Sequence, residues 1–268
     1  MEFRFLQREL TPVGTGFAKK LKGHEMGKSK KSNNKIPVIS KISRSLRKKY
    51  TRYRLKGKDT KEVFTEIFHN NTWLGSDSIS GRGSEGEDVK IISQVLPELF
   101  KQYNISSMLD IPCGDFHWMQ NVDIGDVEYT GADLVTELIQ TNVDKYQNDE
   151  IRFVNLNLLT DKLPKVDLIF CRDCLVHFSI SDIYTALENV CRSESKYLLT
   201  TTFTERKRNR VISTGQWRPL NLQIAPLNLP EPLAITNEGC TQDGGTFSDK
   251  SMALWKISEI QKSLPRSN

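Results

Sequence analysis

Asp110 stands in the stretch LDIPCGDFHWM, residues 109–119, where an apolar run meets a tight turn; Asp133 follows 23 residues later, at the end of a second apolar run, VEYTGADL. An acid about 20 residues beyond the first strand–turn is where α/β folds grip ribose hydroxyls. Its two acceptor oxygens can satisfy a vicinal diol. A pyrophosphate, by contrast, needs several backbone N–H groups brought close by glycines. This turn offers only Gly114, and Asp110 and Asp115 would repel a polyanion. The pattern therefore suits a nucleoside carrying a cationic group, such as an amine or a sulfonium.

A second constellation is CRDCLVHF, residues 171–178. Asp173 and His177 are four apart, so one helical turn would bring both to one side of a cleft. A histidine can take a proton from a hydroxyl near neutral pH, with Asp173 orienting it. Packing alone is the competing role for both. Cys171 and Cys174 form a lone CxxC with no further ligands at zinc-site spacing, so buried thiols are expected and no metal. Downstream, TGQWRPLNLQIAPLNLPEPL carries Trp217 and Arg218, which could wall a pocket for a polar, ring-shaped acceptor or serve a structural crossing loop. Upstream, NTWLGSDSISGRGSEGE is a Gly- and Ser-rich loop that could close over the cleft, with Trp73 as its anchor.

These residues need strands to present them. ISSMLDI, VEYTGADL, IRFVNL, VDLIFC and SKYLLTTTF are rich in β-branched and aromatic residues and read as strands. VTELIQTNVDKY and SDIYTALENVC between them have helical spacing, the latter capped by Ser181 and Asp182. Strands alternating with helices predict an α/β fold with a doubly wound, mostly parallel sheet covered on both faces. PLAITNEG and SMALWKIS look like an antiparallel strand pair at one edge. Residues 60–72 form a short helix with Val63, Phe64, Ile67 and Phe68 on one side, and DVKIISQVLPELFKQY a longer one, which Pro97 is expected to divide.

Composition bounds the rest. The chain has 268 residues and 37% hydrophobic content, enough for one substantial domain with appendages. No run approaches the ~20 apolar residues of a membrane-spanning helix, and MEFRFLQREL is too polar for a secretory signal. A cytoplasmic location is the default expectation. Five Cys without regular spacing then read as reduced thiols, and the sequons at Asn70 and Asn104 lack a secretory context. Residues 1–61 hold 19 Lys and Arg against 4 acids, a net +15, while the other 207 residues hold 19 against 29, a net −10, which together give the chain's +5. The basicity belongs to an arm, residues 1–56, largely disordered by its composition. Within it Ile42, Leu46, Tyr50 and Tyr53 line one face of a basic amphipathic helix, and residues 41–55 could dock on the chain's own domain, touch an anionic membrane surface or meet nucleic acid. Met26 is an alternative start.

Taken in order, SGRGSEGE, LDIPCGDFHWM, YTGADLV, LPKVDLIFCRDCLVHFS, KYLLTTTF and GQWRPLNL resemble class I S-adenosylmethionine-dependent methyltransferases, specifically an uncharacterised bacterial-type branch carrying these strings. The usual first motif, Leu-Asp-x-Gly-Cys-Gly-x-Gly, is met at Leu109, Asp110, Cys113 and Gly114 but departs from glycine at Pro112 and Phe116. The resemblance implies a Rossmann-like methyltransferase domain over residues 57–262, followed by a short tail, 263–268. It implies S-adenosyl-L-methionine as cofactor, its methionine end against Asp110, Pro112, Cys113 and Gly114, its ribose against Asp133 and its adenine near Asn157 and Leu158, with Arg172 also among the cofactor-binding positions. His177 and Asp173 become the catalytic candidates, and Trp217 and Arg218 the substrate-binding ones. The expected reaction is O-methylation of a saccharide or other small polar acceptor. A methyltransferase for RNA or another polyanion, using the basic arm, and a non-catalytic nucleoside-binding scaffold are the alternatives.

Overall fold

The computed structural model describes residues 57–73 and 78–265. The basic arm, the amphipathic helix expected over residues 41–55 and Met26 lie outside the described residues. Seven strands form one sheet: β1 Ser107–Asp110, β2 Glu128–Asp133, β3 Ile151–Asn155, β4 Leu168–Cys171, β5 Tyr197–Phe203, β6 Ala234–Asn237 and β7 Lys250–Lys256. Their order is β3-β2-β1-β4-β5-β7-β6. The first five pair in parallel, and β7 runs antiparallel to both β5 and β6. The reversed strand is thus inserted, and β6, the edge, points the same way as β1 to β5.

Side chains on each central strand alternate between two cores, as the two-residue period of a sheet buried on both faces requires. Leu109, Ile169, Leu198 and Ala253 face helices α4 (Ile180–Arg192) and α5 (Ile257–Ser263). Met108, Leu168, Leu199 and Met252 face α2 (Glu87–Tyr103) and α3 (Thr136–Tyr146). The helix that precedes the sheet, α1 (Thr60–His69), is fixed at its start by a capping box. Asp59 accepts from the Glu62 N–H at 2.8 Å, and Glu62 accepts from the Asp59 N–H at 3.0 Å.

Two local expectations are corrected. Pro97 does not divide its helix: α2 runs unbroken through it. A proline inside a helix costs ~3 kcal/mol, but α2 buries Val89, Ile92, Leu96, Leu99 and Phe100, and each such side chain contributes about 1.5–3 kcal/mol. Tertiary packing outweighs the missing bond. The cap of α4 is Ser179 rather than Ser181: its hydroxyl accepts from the Asp182 N–H at 3.2 Å, while Ser181 only exchanges a hydroxyl hydrogen bond with it.

Candidate active site at the strand ends

The loop leaving β1 is held from below and above. The Ile111–Pro112 peptide is cis, and the Cys113 N–H donates to Ala132 O at 2.8 Å, laying the turn against the end of β2. From α3, the buried Asn142 donates to Gly114 O at 2.8 Å. Gly114 has φ +57, and a Cβ there would overlap Ser80 Oγ. Phe116 occupies a position where the usual motif has glycine, and its φ of +56 shows why glycine suits it. The strain is offset by packing: the Phe116 ring is buried among Tyr129, Tyr146 and Phe153, with centroids 5.1–5.2 Å away.

Asp110 and Asp133 end adjacent parallel strands, β1 and β2, and both are buried. Tyr129 donates its hydroxyl to Asp110 Oδ2 at 2.6 Å. Burial raises the Asp110 pKa to about 8; the Asp133 charge adds to the rise, while the Tyr129 hydrogen bond and Arg172 oppose it. Burial likewise raises Asp133 to about 6, against backbone donors at Val135, Gly114 and Leu134. Two desolvated acids side by side are short of positive charge. Their chemistry fits the group expected there, a cation at Asp110 and hydroxyl donors at Asp133.

Asp115 has a different task from the one its charge suggested. It accepts from Ser78 Oγ at 3.0 Å, from the Ile79 N–H at 2.9 Å and from Ser80 Oγ at 3.2 Å. A carboxylate read as facing a ligand therefore fastens the upstream Ser-rich loop onto the β1 turn. The same loop continues into a 3-10 turn, Arg82–Ser84, where a Cβ on Gly83 would lie 3.0 Å from Asp173 Oδ2.

Beyond β3, the Asn157 side-chain oxygen accepts from the Leu159 N–H at 2.9 Å. That oxygen serves its own turn. Leu158 is part of the buried core, and its carbonyl accepts from Asn189 on α4 at 2.8 Å. A cavity of about 420 Å³ opens here, lined by Leu134, Asn155, Asn157 and Asp161 from the sheet side and by Asp59 and Lys61 from the start of α1.

After β4, Asp173 and His177 are not joined in one helical turn. Asp173 has φ +53 and precedes a 3-10 turn, Leu175–His177. Its carboxylate accepts from Lys250 Nζ at 2.6 Å and lies 3.5 Å from Arg172 Nη1. Burial pushes that carboxyl up in pKa, but Lys250 and Arg172 outweigh it and hold it below the usual value. Arg172 in turn donates through Nε to Glu238 at 2.6 Å and through Nη2 to Asp88 O at 3.1 Å, and its guanidinium stands 5.5 Å from the Trp118 ring centroid. Arg172 is thus engaged with protein partners, and it reaches Asp110 only as a field. Lys250 and Glu238, whose carboxylate is also 3.3 Å from Lys250 Nζ, were not legible as site residues: they lie far downstream, and a charge flanking a strand is ordinarily solvated.

His177 is buried beneath Trp73, with ring centroids 4.8 Å apart. Burial lowers its pKa to about 4 despite the attraction of Asp173, so the ring is neutral at physiological pH rather than poised near it. Its Nδ1 is 3.1 Å from Gln216 O. A carbonyl only accepts, so Nδ1 carries the proton and Nε2 the lone pair.

The segment after β5 runs beside this turn: the Gly215 N–H donates to His177 O at 2.9 Å and the Arg218 N–H to Val176 O at 3.1 Å. Trp217 is 39% exposed and packs edge-on against Phe247, 4.9 Å away. Arg218 is fully buried and donates through Nη1 to Phe178 O at 2.6 Å. All five cysteines are buried free thiols, and among the described residues no cluster of His, Cys, Asp and Glu is placed to hold a metal ion. Nor is any described helix long and apolar enough to cross a membrane.

No protein-family model and no curated protein matches the sequence. Among solved structures, the magnesium protoporphyrin IX methyltransferase of Synechocystis PCC 6803 with bound SAM is similar over 75% of this chain and 98% of its own, at 10% identity and a TM-score of 0.52. Human N-acetylserotonin methyltransferase in complex with SAM aligns over 77% of this chain and 69% of its own, at 12% identity and a TM-score of 0.45. PigF with SAH aligns over 82% and 69%, at 13% identity and a TM-score of 0.49. The first of these, together with the strand order, shows that the chain has the Rossmann-like methyltransferase fold.

Proposed function

We propose that the protein is an S-adenosylmethionine-dependent methyltransferase acting on a hydroxyl of a small polar acceptor. The observation that carries this reading is the pair of buried acids, Asp110 and Asp133, closing adjacent strands of a sheet with this fold. Asp133 would accept the ribose hydroxyls, and Asp110 would face the cationic methionine end beside Pro112, Cys113 and Gly114. Leu134 and the Asn157 amide, in the cavity at the end of β3, would meet the adenine. When bound, the cofactor supplies an electrophilic methyl group on a sulfonium.

The chain's own part is to align the acceptor and to hold its proton. His177 Nε2, neutral and shielded by Trp73, would accept a hydrogen bond from the acceptor hydroxyl and take the proton as negative charge develops on oxygen. Asp173 acts on His177 through its charge, its carboxylate being occupied by Lys250. Trp217 and Arg218 would wall the acceptor side.

Calorimetric titration with S-adenosylhomocysteine tests the cofactor claim. Binding is expected for the native chain and lost in Asp133→Ala. Absence of heat and of any thermal shift at millimolar ligand overturns the enzyme reading.

A further inference from the structure

Arg218 raises a charge problem. Its side chain is fully buried, yet Nε and Nη2 have no hydrogen-bond partner, and Nη1 meets only the Phe178 carbonyl. Among the described residues no carboxylate pairs with it, while Arg172, the other buried arginine of this region, has Glu238 and Asp173. Water can satisfy two N–H groups, but it does not neutralise a buried guanidinium, whose desolvation is costly without a counter-charge. The nearest long-range influence is of the wrong sign: besides burial, the charge of Arg210 presses the Arg218 pKa down, to about 10.

The surroundings extend the same imbalance. The segment after β5 carries Arg206, Lys207, Arg208 and Arg210. Arg206 is consumed by Asp249, at 2.5 and 2.9 Å. Lys207, Arg208 and Arg210 are exposed. A planar guanidinium with two free N–H groups is shaped to receive a carboxylate or phosphoryl oxygen pair. Arg210, exposed and close enough to act on Arg218 through its charge, would draw such a group in from solution. Trp217, which flanks Arg218, and the nearby Phe247 offer an apolar face for the ring that carries it.

We propose that Arg218 is an oxyanion receptor, so that the molecule bound beside His177 carries a carboxylate or a phosphoryl group. This rests on the methyltransferase reading for calling that molecule the methyl acceptor, but the anion site itself stands independently of it. Because the guanidinium is buried, only a small anion seated within the protein could pair with it, and the backbone of a long polyanion could not.

The test uses the full chain, without and with saturating S-adenosylhomocysteine, titrated with glucuronate, glucose and inorganic phosphate. Glucuronate or phosphate is expected to bind and raise the Tm; glucose, which lacks the charge, is not. Arg218→Met keeps the aliphatic stem and removes the unpaired charge. It is expected to match or exceed the native Tm and to abolish the anion response, whereas a merely structural arginine would leave the variant less stable. Arg218→Lys, which keeps charge but not the fork, covers the case in which the Met variant does not fold, and is expected to bind the anion about tenfold more weakly. No response of the native chain to either anion, or a response unchanged in Arg218→Lys, overturns the proposal. A short RNA bound equally by native chain and Arg218→Met, with neither small anion bound, overturns it in favour of a surface polyanion site. Loss of S-adenosylhomocysteine binding alone removes the methyltransferase reading and leaves the glucuronate result standing.

Discussion

Lys250 Nζ donates to Asp173 Oδ2 across 2.6 Å, tying the turn after β4 to the first residue of β7, 77 positions away in the sequence. With Arg172 and Glu238 it completes a set of two cations and two anions, all buried except the partly exposed Asp173. Removing one member leaves the others uncompensated. Lys250→Met is therefore expected to lower stability by about 3 kcal/mol or more, read as a fall in the denaturation midpoint. A midpoint unchanged from the native chain would mean the set is solvated.

The raised pKa of Asp110 has a direction in pH. Its folded value, about 8, lies above the ordinary 3.8, so the stability linked to its proton is fully present below pH 3.8 and is lost as pH rises through 8. Asp110→Asn should thus stabilise the ligand-free protein at pH 9 by on the order of 2–4 kcal/mol and leave it little changed at pH 4. The same variant should fail to bind S-adenosylhomocysteine. Thermal melts at the two pH values check the first claim, and calorimetry the second.

Binding of a cation at Asp110 should also expel its proton near neutral pH. The calorimetric heat of S-adenosylhomocysteine binding at pH 7 should then vary with the ionisation heat of the buffer. Identical heats in phosphate and Tris at pH 7 would count against the arrangement.

His177 is neutral from about pH 5 upward, because its pKa is lowered to about 4. His177→Ala should bind the cofactor normally and lose on the order of 10²-fold in turnover. In the native chain no limb of the pH–rate profile between pH 5.5 and 7.5 should disappear in His177→Gln, since the raised carboxyl that falls in that range is Asp133. A limb near 6.5 that vanishes with the histidine would show that burial is not the dominant influence on the ring.

Phe116 holds a left-handed backbone conformation inside an aromatic cluster. Phe116→Gly relieves the backbone but empties the cluster, and packing is the larger quantity: a net loss of about 3 kcal/mol is expected. An equally stable glycine variant would show the strain to be the larger one.

The strands, and the ends of β1, β2 and β4 where the candidate site residues stand, were legible because they announce themselves locally, as apolar runs that stop at an acid or a polar turn. What escaped depends on pairing across distance. Asp115 looks like a ligand-facing acid until Ser78 and Ser80 are brought onto it. Asp173 and His177 have helical spacing, yet the chain turns left-handed at Asp173 and gives its carboxylate to a strand that enters the sheet 77 residues later. Pro97 reads as a breaker because propensity is local, and five buried side chains of α2 overrule it. The neutral state of His177 follows from how much protein covers it, which spacing along the chain does not encode.

The Asp115 carboxylate gathers three of the bonds that join Ser78, Ile79 and Ser80 to the turn after β1, and its own N–H donates a further one to Ser80 Oγ at 3.2 Å. A zip of many weak bonds opens gradually; three bonds converging on one carboxylate part together. Asp115→Ala would remove these three side-chain bonds together, and faster amide exchange at Ile79 would register it.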